Sequence, residues 1–288
     1  MNLKARIARF TRTVHAMEVE QNGGQYTQVV SLGLEVWMEE DVALIRGLDH
    51  QQLEVGWLDM MSIALASMGQ ITEAIPYFER LVDVWGDMCD YRTQALVLIN
   101  LGKAIDTAAL ECTHGRSVDI FEKVRTTGTH AGWFDIESNA CEGLSSLALQ
   151  AARPVEAMEF AQQAVVAADL MLEDDFASHH TRANALKTVL RCCDLTSANF
   201  DEHILEKYRL TAEQIWGEYD SMHLVDVYGT WVTRHFHMGR TVECEEAYAK
   251  VLQLAAFPKM QQNNSVARIV KNATETMRMV RAWLGLCV

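Results

Sequence analysis

The sequence predicts an all-α protein, a right-handed α-solenoid of about five to six helical hairpins with a C-terminal capping helix. Three observations carry this expectation. First, a phrase recurs: a small residue, then an aromatic or small residue four positions on, then an apolar residue three further. It reads Ala74, Phe78, Leu81, then Ser117, Phe121, Val124, then Ala157, Ala161, Ala164, and finally Cys244, Tyr248, Val251. The starts fall 43, 40 and 87 residues apart, the last gap leaving room for two units. A period of about 40 residues is the signature of stacked helical hairpins. Second, each phrase is preceded by apolar residues at helical spacing. Third, only 3 prolines occur in 288 residues, which suits a chain that is nearly all helix.

The elements follow in order. Residues 3–19 and 25–39, split by Asn22-Gly23-Gly24, read as an N-terminal hairpin. The first carries the stripe Leu3, Ile7, Phe10, Val14 and Met17. In the first repeat, Leu58, Met61 and Leu65 mark a first helix that Gly69 ends. Thr72 is expected to cap the second helix, with Pro76 in its tolerant first turn and Ala74 allowing close helix approach. The second unit has the stripe Leu98, Leu101 and Ile105 and a longer turn, ECTHGR. In the third, Leu144, Ala148, Ala152 and Ala157 stand at the offsets of Met61, Leu65, Gly69 and Ala74. In the fifth, Trp231, His235, Gly239 and Cys244 do the same. The fourth is degenerate: Ala183, Leu186 and Leu190 reach Ile204 and Tyr208 through DLTSANFDE. A final helix over 263–284, with the face Val266, Ile269, Val270, Ala273, Met277, Val280 and Leu284, would cover the last repeat. The expected division of the single solenoid 1–288 is a capping hairpin at 1–45, repeats at 46–257 and a capping helix at 258–288.

This frame of apolar, apolar, Gly, Ala and aromatic positions in a helix–turn–helix resembles the tetratricopeptide repeat. The junction AIPYFERLVDVWGDMCDYRTQALVLINLG is similar to the roughly 40-residue repeats of the LGN/Pins family and of kinesin light chains. The residues concerned are the Gly86-Asp87 turn, Ala95, and Asn100-Leu101-Gly102. The resemblance spans about residues 25–257.

Charge and composition narrow the function. The formal net charge is −14, which argues against neutralising a nucleic-acid backbone and favours a basic partner. The seven cysteines, Cys89, Cys112, Cys141, Cys192, Cys193, Cys244 and Cys287, form no CxxC pair and read as mostly buried free thiols of a reducing compartment. No apolar run approaches the about 18 residues of a membrane span. These features point to an intracellular, cytoplasmic protein. The Arg-rich amphipathic start, LKARIARFTRTVHAMEV, is similar to a mitochondrial presequence and keeps that organelle open.

No metal, cofactor or catalytic centre is expected. His235 and His237 stand about 200° apart around a helix, so they cannot ligate one ion from one face. His179-His180 diverge similarly, and Cys112, His114 and Cys141 lack paired ligand spacing. GxSxG, GxxxxGK[ST] and the dinucleotide fingerprint are all missing. The acidic runs Glu39-Glu40-Asp41 and Glu173-Asp174-Asp175 read as solvated helix ends. The tripeptides Asn263-Asn264-Ser265 and Asn272-Ala273-Thr274 match the glycosylation sequon by chance, and Asn264 or Ser265 is expected to cap the last helix.

What remains is a surface. In a right-handed stack the first helices line the concave face. Their non-stripe positions are Asp59 and Ile63 in the first unit, Asn100 and Lys103 in the second, and Asn139, Glu142 and Ser146 in the third. The fourth contributes Asn184, Thr188 and Arg191, and the fifth Thr230, Thr233 and His237. The family resemblance implies that an Asn at Asn100 holds the backbone of an extended peptide, with Asn139 and Asn184 near equivalent positions. The expected function is a non-enzymatic scaffold that binds a peptide or protein segment in this groove. The alternative is a structural or accessory subunit of a large assembly, docked by its convex face or its ends.

Overall fold

The computed structural model describes residues 3–36, 51–108, 114–173, 175–195, 197, 200–215, 222–257 and 264–284. The fold is an all-α helical repeat. The described residues form thirteen helices and no strand. They fall into two compact units, residues 1–136 and 137–288.

In the first unit, α1 (Leu3–Asn22) and α2 (Tyr26–Val36) form the expected N-terminal hairpin. They are followed by α3 (Gln51–Ser67), α4 (Ile71–Asp87), α5 (Tyr91–Thr107) and α6 (His114–Ala131). Each helix packs on its neighbour in sequence, and α1 also packs on α3. The core runs through Phe10, Met17, Trp57, Met61, Leu65, Phe78, Leu81, Leu101 and Ile105. The phrase residues Ala74, Phe78 and Leu81 are all buried, as are Ser117, Phe121 and Val124. Trp57 donates its indole N–H to the Gly33 carbonyl at 3.0 Å, which fixes α3 to α2. Glu54 is 1% exposed and accepts from Arg80 Nε at 3.0 Å, which ties α3 to α4.

In the second unit, α7 (Phe134–Gln150) and α8 (Pro154–Asp169) form one hairpin. α9 (Phe176–Cys192) and α10 (Glu202–Ile215) form the next, then α11 (Met222–His237) and α12 (Thr241–Ala255). The helix α13 (Asn264–Trp283) packs on both α11 and α12. Its residues Val266, Ala273, Met277 and Val280 are buried with Cys244, Val251 and Val232. The phrase Ala157, Ala161, Ala164 is fully buried, and Ser145 Oγ donates to the Ala157 carbonyl at 2.8 Å. Close helix approach is what these small residues allow.

The turns explain the Gly position of the frame. Gly69, Ala152 and Gly239 stand at equivalent offsets, and all three adopt left-handed backbone with φ of 77°, 55° and 67°. In each, the next residue's N–H reaches back to the carbonyl five residues earlier: Gln70 to Leu65, Arg153 to Ala148, Arg240 to His235. This is the Schellman closure, which caps otherwise orphaned helix-end carbonyls. Cys89 closes α4 the same way with φ 58°. Ala152 and Cys89 therefore adopt a conformation that costs an L-residue about 1 kcal/mol or more.

Several local expectations are corrected. Thr72 is not the cap of α4: the Schellman turn delivers the chain straight into a helix starting at Ile71, with Gln70 at the cap and no side-chain cap bond. Pro76 consequently lies inside α4 rather than in its first turn, where it removes one backbone donor. Gly86-Asp87 is the last turn of α4, and the reversal itself comes at Met88-Cys89. His114-Gly115-Arg116 opens α6 instead of belonging to a turn. Cys112, Cys287, Glu39-Glu40-Asp41, Asp174 and the capping side chains of Asn264 and Ser265 lie outside the described residues.

Candidate interaction surfaces

The first unit places three of its four expected surface residues together. Ile63 from α3 and Asn100 and Lys103 from α5 line a cavity of about 260 Å³, with Ala66, Ile71, Phe78, Ala104 and Thr107 completing its wall. Helical periodicity explains the grouping: Asn100, Lys103 and Thr107 follow one another at i, i+3 and i+7. The cavity thus has an apolar floor and an amide and an ammonium at its edge, and both Asn100 and Lys103 are exposed. Asp59 sits apart from this lining, half-buried on α3, and burial raises its carboxyl above the ordinary carboxylate value.

The expected residues of the second unit vary in exposure. Asn139, Glu142 and Ser146 on α7 and Asn184 on α9 are half-buried, while Arg191 is exposed. Thr188 is only 6% exposed and donates its hydroxyl to the Asn184 carbonyl, so it belongs to the helix interior. Thr230 and Thr233 likewise bond back to Asp226 and Gly229 within α11. His237 is exposed and lies edge-on to Phe236.

Two features were not foreseen in the sequence. The first is a polar chain linking α9, α10 and α11. His180 Nδ1 lies 3.3 Å from His223 Nε2, and His223 Nδ1 lies 2.9 Å from the Tyr208 hydroxyl. That hydroxyl donates to Asp226 at 3.2 Å, and Asp226 pairs with Lys187 at 3.3 Å. Because a carboxylate only accepts, the Tyr208 hydroxyl gives its proton to Asp226 and accepts from His223 Nδ1–H. His223 is 1% and Tyr208 0% exposed, so this chain holds three helices together from inside. In sequence, His180 and His223 are 43 residues apart, and only repeat stacking brings them into contact.

The second feature is a wider groove of about 600 Å³ between α10, α11 and α12. Trp231 and His235, expected as buried stripe residues, are only half-buried there. Their rings stack at 4.8 Å with an interplanar angle of 14°. Burial, with the Arg240 charge adding to it, holds the His235 imidazole below its ordinary pKa.

The described residues contain no cluster of three or more His, Cys, Asp or Glu able to hold a metal ion. None of the described helices is long and apolar enough to cross a membrane. No family model matches the chain, and no curated protein matches it in sequence. Among solved structures, the chain is similar to the apo form of RapI with a TM-score of 0.57 at 10% identity, over 98% of this chain and 77% of that one. At that identity the likeness is one of fold, and the fold it supports is the all-α helical repeat that the recurring phrase encodes.

Proposed function

We propose that the protein binds other proteins rather than catalysing a reaction, and that its first helices receive a peptide or protein segment. The observation that carries this is the cavity in which Ile63, Asn100 and Lys103 converge. Its floor suits an apolar side chain. Asn100 can both donate to and accept from a peptide group, and Lys103 can pair with a carboxylate or carbonyl. Helical-repeat surfaces are commonly used in this way, and the likeness to RapI fits such a fold. On this reading Asn139 and Asn184 offer amides of the same kind on the first helices of the second unit, and Thr188 takes no part. The LGN/Pins or kinesin-light-chain kinship of the junction around Asn100 belongs to the same proposal.

The test is affinity purification of the full chain from its native cells, comparing wild type with Asn100→Ala/Lys103→Ala and with Asn139→Ala/Asn184→Ala. Loss of the recovered partner with the first pair supports the cavity. Unchanged recovery with both pairs overturns the first-helix assignment.

A second reading, a subunit docked by its second helices, rests on α8 and the segment after it. Val155, Val166, Leu170 and Leu172 are 74%, 62%, 49% and 94% exposed there. Exposed apolar side chains in number mark association surfaces. A single sharp monomer in native lysate would sink this reading.

A further inference from the structure

The groove between α10, α11 and α12 shares no residue with the α3–α5 cavity, and its chemistry differs. Its floor is an aromatic row on α11, Tyr228, Trp231 and His235, spaced so that all three face one side of the helix. Its rim carries Glu206 from α10 and Glu243 and Glu246 from α12.

The charges of the rim are not balanced. Arg209 also lines the groove, but Glu206 pairs with it at 2.6 Å and Glu213 pairs with it as well. That guanidinium is therefore saturated by its own helix. Lys250 also lines the groove and keeps its charge, since its contact at 3.5 Å is with the neutral Gln253 Oε1. The lining thus sets the three carboxylates Glu206, Glu243 and Glu246 against the two cations Arg209 and Lys250. Among the described residues Glu243 and Glu246 have no ion-pair partner, and both are exposed. The floor adds no positive charge at neutral pH, since His235 is held neutral. Aromatic faces beside unpaired carboxylates attract a cation through both the ring quadrupole and direct charge pairing. The volume, about 600 Å³, lies within the range of about 300–1,000 Å³ typical of ligand clefts, so it exceeds the needs of one side chain. The chain's net charge of −14 favours the approach of a basic partner from a distance.

We propose that the α10–α12 groove is a docking site for a basic segment of a protein partner, with an arginine or lysine side chain laid against Trp231 and Tyr228 and paired with Glu243 and Glu246. Because the groove shares no residue with the α3–α5 cavity, it would operate independently of it.

The experiment is a fluorescence-anisotropy titration of the full chain with labelled octa-arginine. The groove variant is Glu243→Gln/Glu246→Gln. The control variant, Asp83→Asn/Asp87→Asn, removes the same charge from exposed positions on α4. Both pairs of positions are solvent-facing, and circular dichroism checks that each variant is folded. The groove variant is expected to weaken binding about tenfold, and the control less than about twofold, because distant exposed charges are screened by salt. The Asn100→Ala/Lys103→Ala variant is expected to bind octa-arginine like wild type, which separates this site from the α3–α5 cavity. Equal weakening by the groove and control variants would show general attraction to an acidic surface and overturn the proposal. So would binding unaffected by the groove variant, or no binding by the wild-type chain.

Discussion

The guanidinium of Arg234 donates to the carbonyl oxygen of Ser197 at 2.6 Å, joining the last turn of α11 to the connection between α9 and α10. The same nitrogen reaches the Leu195 carbonyl at 3.0 Å, Nε reaches Glu202 at 3.3 Å, and the Phe200 ring lies 4.9 Å from the guanidinium carbon. Arg234 is 2% exposed. The most irregular unit of the repeat is thus held by a buried cation from the next one. Arg234→Ala is expected to destabilise the protein by about 1–3 kcal/mol, because it leaves the Leu195 and Ser197 carbonyls without their donor and removes the contact with Phe200, while Glu202 keeps Arg240 as its partner. Urea unfolding measures this. A loss below about 1 kcal/mol would show that water replaces the guanidinium.

The Schellman turns predict a stabilising substitution. Ala152 occupies left-handed backbone where the equivalent turns use Gly69 and Gly239. Ala152→Gly is expected to raise stability by about 0.5–1 kcal/mol, the relief of strain exceeding the added freedom of the unfolded chain. Gly239→Ala should do the reverse by about 1–2 kcal/mol. Urea midpoints of the two variants moving in the same direction would refute the assignment.

Packing between α5 and α6 depends on a missing side chain. A Cβ on Gly102 would lie 2.8 Å from Phe121 Cζ, and Phe121 is 1% exposed. Gly102→Ala is expected to cost about 1–3 kcal/mol by overpacking, although alanine is the better helix former. In the Phe121→Leu background the same change should cost markedly less. An additive double-mutant cycle would show that the contact is not responsible.

Stability should respond to pH through two groups with opposite signs. Asp59 has a raised carboxyl pKa in the folded chain because burial disfavours its charge. Its folded form binds a proton more tightly than the unfolded chain, so its contribution is full below the ordinary carboxylate pKa and is lost as pH rises through the folded value. Asp59→Asn should therefore stabilise at neutral pH and lose that advantage in acid. His235 has a lowered pKa, from burial first and Arg240 second. Its contribution is present above the ordinary imidazole pKa and lost as pH falls through the folded value. His235→Phe should flatten the decline in urea midpoint between neutral and mildly acidic pH. A decline of unchanged size would assign it to other groups.

The groove residues were legible to different degrees, for physical reasons. Ile63, Asn100 and Lys103 could be named because a helix face is set by spacing, and spacing is written in the chain. Thr188 was named from the same rule, yet neighbouring helices bury it. Trp231 and His235 fit the buried stripe of the repeat frame. They remain half-exposed because α10 and α12 leave a groove above them, and that gap depends on three helices at once. The Thr72 cap failed for a local reason, since the Schellman turn at Gly69 starts the next helix too early for Thr72 to cap it.

By itself the sequence determined the helices, their pairing into hairpins and the buried phrase of each second helix. These depend on periodicity, on small residues at close approaches and on turn residues, all of which act over a few neighbouring positions. Only the tertiary structure decided how Arg234 supports residues 195 and 197, how His223 meets both His180 and Tyr208, and which aromatic residues face solvent beside unpaired carboxylates. Those contacts join residues far apart in the chain. Their energies come from burial and charge, which exist only once the helices are stacked.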